Sequence, residues 1–116
     1  MKLNKLAFIG GSGIYKLDIL SEVVEHDIVS SFGSPSSKII EGKINGNSIF
    51  FLSRHGFGHR LSPSEINYRA NIECLKQLGI TDIISLSAVG SLREDLDPGT
   101  FVIVDQFIDR TINRKK

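Results

Sequence analysis

The chain lacks the marks of several protein classes. It has one cysteine, Cys74, so an internal disulfide is excluded and a reducing cytoplasm is the expected location. No apolar run approaches the roughly 20 residues of a spanning helix. Met1-Lys2-Leu3-Asn4-Lys5 leads into a short strand and glycines, not into the apolar core and cleavage site of a signal peptide. A dominant charge is missing as well. The formal net charge of +1 argues against a nucleic acid or a membrane surface as partner. Repeats, low-complexity stretches and domain linkers are absent. What remains is 116 residues, 41% hydrophobic and 23% charged, which fits a single soluble domain over residues 1–116.

Several elements follow from pattern. Leu6-Ala7-Phe8-Ile9, closed by glycines, reads as a buried strand. Residues 22–31 hold enough Val and Ile for one irregular strand. Asn45-Gly46 between two alternating segments, 38–44 and 48–52, is the strongest short-range hairpin signal in the chain. Ser62-Pro63-Ser64-Glu65 has the cap, first-turn proline and acidic third residue of a helix start. Ile66, Ala70, Cys74 and Leu78 repeat at i+4, with Ile72 and Leu75 widening the stripe, and Gly79 supplies a stop. These signals predict a helix over about 63–78. Residues 82–87 read as a buried strand, Asp97-Pro98-Gly99 as a turn and 101–104 as a final core strand. Strand, helix, strand over 48–87 predicts a parallel crossover beside an antiparallel hairpin, hence an α/β fold with a mixed central sheet and flanking helices. One helix cannot cover both faces of such a sheet. Either other subunits cover it or the chain is part of a longer protein.

The chemistry gathers at strand ends. An apolar strand runs into Arg54-His55, and Gly56 and Gly58 then let the backbone turn. Arginine offers a planar fork of donors to phosphate or carboxylate and is always charged. Gly10-Gly11-Ser12-Gly13 and Ser87-Ala88-Val89-Gly90-Ser91 also follow apolar strands and bring hydroxyls and open backbone N–H groups. Open α/β sheets bind ligands beyond the carboxyl ends of their strands. A lone Arg-His pair is more often the end of an exposed hairpin, but three such loops favour one oxyanion site. His59, four residues beyond His55, does not suggest a metal, because the glycines oppose a helix and no carboxylate cluster is near. It reads as a supporting residue. Cys74 reads as a small core residue. Ser12 and Ser87 read as binders, since no nucleophile elbow is present.

Five blocks in order carry a family resemblance: Ile9-Gly10-Gly11-Ser12-Gly13, Arg54-His55-Gly56, Asn67-Tyr68-Arg69-Ala70-Asn71, Ser87-Ala88-Val89-Gly90-Ser91-Leu92-Arg93, and Asp105-Gln106-Phe107-Ile108-Asp109-Arg110-Thr111. Together they resemble the N-terminal part of the methylthioadenosine phosphorylases, a branch of the trimeric purine nucleoside phosphorylase family. The resemblance implies a purine and uridine phosphorylase-like fold and a homotrimer. It also implies phosphorolysis of S-methyl-5'-thioadenosine to adenine and 5-methylthioribose 1-phosphate, in purine and methionine salvage. Inorganic phosphate is then the co-substrate and a nucleoside the small-molecule partner, with no metal or organic cofactor. Ser12, Arg54, His55, Ser87 and the Ala88 backbone match the family's phosphate contacts. Ser64 stands where close relatives often carry a histidine. The family's ribose-packing methionine and purine-recognising aspartates have no counterpart among these residues, so the catalytic group is expected outside them. The alternatives are purine nucleoside or methylthioinosine phosphorolysis, or an inactive phosphate-binding fragment that needs a partner chain.

Overall fold

The computed structural model describes residues 4–11 and 18–114. Five strands, β1 (Leu6–Gly10), β2 (Ser21–His26), β3 (Ile39–Ile44), β4 (Asn47–Ser53) and β5 (Asp82–Ser85), form one sheet in the order β2-β3-β4-β1-β5. A helix, α1 (Tyr68–Gln77), connects β4 to β5. β1 is parallel to β4 and to β5, whereas β2, β3 and β4 are antiparallel neighbours. The expected α/β fold with a mixed central sheet is therefore present, with a refinement. The β4–α1–β5 crossover spans β1, which sits between the two strands it joins.

The hairpin turns where its dipeptide indicates. Asn45 and Gly46 have φ of 50° and 79°, the two positive angles of the tight turn whose twist matches that of its strands. β2 is an irregular edge strand, with a register shift between Ser21 and Val24 and Glu22 at φ 50°. It is shorter than the expected 22–31, ending at His26.

One face of the sheet is closed. Ala7, Ile9, Ile39, Phe50 and Leu52 pack with Cys74 and Leu75 of α1 into the core, and Ile28, Leu78 and Ile80 add to its rim. The pairs Ala7↔Phe50 and Ile9↔Leu52 put these side chains in two aligned rows, as the period-2 pleat requires. The other face carries Ile40, Phe51, Phe8 and Ile84 in one row across the strands. Phe8 and Phe51 stack there at 5.4 Å, but no helix covers them among the described residues.

The helix is shorter than its sequence signals indicate. Ser62 and Glu65 do exchange bonds, Ser62 N–H donating to Glu65 Oε2 at 2.8 Å and Glu65 N–H to Ser62 O at 3.0 Å, yet they close only a turn. The helical cap is Asn67. Its Oδ1 accepts from Ala70 N–H at 3.1 Å while its Nδ2 donates to Phe32 O. That second bond ties the cap to the loop before β3, and the tertiary contact sets where the helix begins. The end follows the expected glycine. Gly79 N–H donates to Lys76 O at 2.9 Å and Ile80 N–H to Leu75 O at 3.2 Å, with Gly79 at φ 78°. This is the paired closure that places Ile80 back on Leu75. Ala70, Asn71, Cys74 and Leu75 form the buried stripe, whereas Ile72 faces outward at half exposure.

Two other expectations change. β5 is an exposed edge strand and not a buried one, because only β1 pairs with it. Residues 101–104 form no strand, and Phe101 and Ile103 are 95% and 99% exposed. Among the described residues no strand lies beside them to complete a ladder, and an extended segment without one cannot persist as sheet.

Candidate functional site

The three parallel strands β4, β1 and β5 lie side by side, so their carboxyl ends share one edge of the sheet. The register pairs Gly10 with Ser53 and Ile9 with Ser85. Continued by one or two residues, it aligns Gly11, Arg54 and Ser87. Backbone bonds hold the exits together: Arg54 N–H donates to Gly10 O at 2.9 Å, and Leu86 N–H to Ile9 O at 2.8 Å.

Arg54 is the hub. Its Nη1 donates to Ser87 Oγ at 3.0 Å and, at a longer 3.4 Å, to Leu86 O. A Cβ at Gly11 would lie 3.3 Å from Arg54 Nη2, so glycine there keeps the guanidinium in place without crowding. Among the described residues no carboxylate pairs with Arg54. A half-buried guanidinium with hydroxyl and backbone partners retains its whole charge for an anion.

His55 is buried beside it. Its Nδ1 lies 2.9 Å from Leu61 O. A carbonyl only accepts, so Nδ1 carries the proton. In the neutral ring Nε2 is then a lone pair, and it faces the Nε–H of Arg54 at 3.5 Å. Leu61 N–H returns a bond to His55 O at 2.9 Å, closing the turn. Gly56, at φ 76°, is required here, since a Cβ would come within 2.9 Å of both Arg60 Nε and Ser36 O.

A buried polar group supports the turn from behind. Arg60 Nη2 donates to Ser36 O at 2.9 Å, Ser36 N–H to Asn71 Oδ1 at 2.8 Å, and Asn71 Nδ2 to Ser36 Oγ at 3.0 Å. Ser37 Oγ accepts from Ser53 N–H at 3.1 Å at the end of β4. The side-chain polar atoms of Ser36, Ser37 and Asn71 each have a partner, which makes the group a rigid support. Sequence reasoning missed it. Asn71 lies on the apolar helix stripe, and that position is the one signal that could have pointed to a buried amide.

Of the sequence-derived site residues, the structure brings together Arg54, His55 and Ser87. Ala88 follows Ser87 in an exposed, irregular run. Ser12 lies outside the described residues. His59 stacks on His55, ring centroids 4.2 Å apart and planes 20° from parallel. Stacked imidazoles do not converge their nitrogens on one ion. Cys74 is enclosed in the core, and burial raises its thiol above the ordinary value.

Comparison with known proteins fits this arrangement. The sequence model of the Phosphorylase superfamily matches residues 5–116, and the chain belongs to that superfamily. Proteins named S-methyl-5'-thioadenosine phosphorylase from Rhodospirillum rubrum and Bradyrhizobium diazoefficiens are 56% and 58% identical to it over 111 and 110 residues. Those alignments cover 96% and 95% of this chain but 38% of each relative. The solved structure of methylthioadenosine phosphorylase from Schistosoma mansoni in complex with tubercidin matches with a TM-score of 0.88 at 43% identity, over 97% of this chain and 40% of that one. The chain thus spans about two fifths of the length of these relatives.

Proposed function

We propose that this chain carries the phosphate-binding part of a nucleoside phosphorylase site, and that the reaction is phosphorolysis of S-methyl-5'-thioadenosine. A phosphate oxygen attacks the anomeric carbon, the bond to the purine nitrogen breaks, and adenine leaves with the bonding electron pair and gains a proton. Adenine and 5-methylthioribose 1-phosphate result. The observation that carries this reading is the meeting of three parallel strand ends on Arg54, a cation with no carboxylate partner among the described residues.

Arg54 supplies the fixed positive charge and Ser87 a hydroxyl already oriented toward it. The Ala88 N–H and the Ser12 hydroxyl complete the phosphate contacts from the two flanking loops, and His55 borders the anion beside Arg54. Phosphorolysis passes through an oxocarbenium-like ribose, so a phosphate held in place against it contributes by position and by charge. Inorganic phosphate is the co-substrate, and the reading calls on no metal or organic cofactor. The names of the relatives support the methylthioadenosine substrate. A homotrimer in the cytoplasm, serving purine and methionine salvage, belongs to the same reading. Among the described residues, no helix is long and apolar enough to cross a membrane.

A second reading is an anion-binding part that is inactive without a partner chain. The exposed run 86–114 favours it. One experiment separates them. Phosphate should raise the Tm of the 116-residue chain, as a ligand of the native state does, and Arg54→Ala should remove that rise, weakening binding about ten- to a hundredfold through loss of a charged donor. Release of adenine from methylthioadenosine and phosphate by the same chain marks the enzyme. Phosphate binding without release marks the second reading, and a Tm rise untouched by Arg54→Ala refutes the site.

A further inference from the structure

We propose that His59 is a positioning residue for the anion site, holding the His55 ring in the orientation that presents Nε2 to Arg54. The inference rests on the anion-site reading above and extends it to a residue that need not touch the anion. The hydrogen bond from His55 Nδ1 to Leu61 O fixes one edge of the ring. This bond and the longer one from Arg54 Nε–H to Nε2 both lie in the ring plane. They leave the ring free to turn about the line joining the two nitrogens, and its tilt is set by what packs against its face. His59 packs there, 4.2 Å between centroids and 20° between planes. Among the described residues the His59 ring has no hydrogen bond or ion pair of its own.

The backbone at His59 argues in the same direction. Its φ is 54°, in the left-handed region, and it directly follows Gly58, which like Gly56 lies at 76°. Glycine or asparagine adopts that conformation with less strain. The main-chain bond from His59 N–H to Gly56 O at 3.1 Å depends on no side chain. A residue other than glycine carries a backbone cost here, and the imidazole gains a face-to-face contact with the ring beside Arg54. Strain held at a binding loop is the pattern expected where a side chain is placed for function.

The test compares wild type, His59→Asn, His59→Phe and Arg54→Ala, measuring inorganic phosphate affinity by titration calorimetry and Tm without phosphate. Asparagine suits the positive φ and removes the ring, so His59→Asn should keep or raise Tm while binding phosphate about two- to tenfold more weakly, the span expected for one lost aromatic stack. His59→Phe restores a stacking face and should return the affinity toward wild type. Wild-type affinity in His59→Asn, with Arg54→Ala abolishing binding, overturns the positioning role and leaves the anion site standing. A parallel loss of Tm and affinity in His59→Asn that Phe does not rescue overturns it as well, because that marks a merely structural residue. No phosphate binding by wild type, or binding unchanged in Arg54→Ala, removes the site and this inference with it.

Discussion

Ile39, Leu52 and Leu75 are fully enclosed, whereas Phe101, Ile103 and Ile108, of the same chemistry, stand almost wholly in solvent. The two regions, 4–85 and 86–114, are both rich in β-branched and aromatic residues. Their difference lies in the backbone. In the first, each strand has at least one ladder partner, and α1 lies across one face. In the second, beyond the Leu86 N–H bond to Ile9 O, the described residues pair with no strand. Apolar side chains supply the drive to leave water, but a segment becomes sheet only where another strand satisfies its N–H and C=O groups. The anion site lies at the border between these regions. Arg54, from the ordered part, reaches across to Ser87, the second residue of the irregular part.

The sharpest way to break this contrast is a matched pair of truncations. Leu75→Ala empties a closed core and should cost about 2–5 kcal/mol. Ile103→Ala, 99% exposed, should stay within about 0.5 kcal/mol. Urea unfolding of both checks the pair. A large loss in Ile103→Ala shows the segment to be packed in solution and removes the contrast. A smaller effect belongs to the tie between α1 and the loop before β3. Ser31 N–H and Oγ donate to the Glu73 carboxylate at 2.7 and 2.9 Å, and these bonds hold its pKa below the ordinary 4.5. A carboxylate depressed in the folded state stabilises above its unfolded value, and that stabilisation is lost as pH falls through the folded value. The urea midpoints of wild type and Glu73→Ala should therefore differ near neutral pH and converge below 4.5. A gap that persists in acid shows that the tie does not depend on the charge.

Much of the ordered region is legible from residues alone, for local reasons. Asn45-Gly46 sets its hairpin by backbone angles, Gly79 ends α1, and the pleat places Ala7, Phe50 and Leu52 on one face. Arg54, His55 and Ser87 can be read as a site because each follows a strand that the sequence marks. What the sequence hides is set by distant partners. Asn67 displaces Ser62 as the helical cap because Phe32 O holds its side chain. Residues 101–104 have a strand's composition without a strand beside them. β5 reads as buried, yet its burial depends on how many neighbours it has. The stack of His59 on His55 depends on a third positive φ, at His59, beyond the two that Gly56 and Gly58 announce.

Backbone amide shifts during a titration with inorganic phosphate test most directly whether three strand ends form one site. The account predicts saturable changes at Gly11, Arg54, His55, Ser87 and Ala88, all reporting one affinity, with residues 97–112 unmoved. Changes confined to the Arg54 turn, or spread through the exposed segment, contradict it.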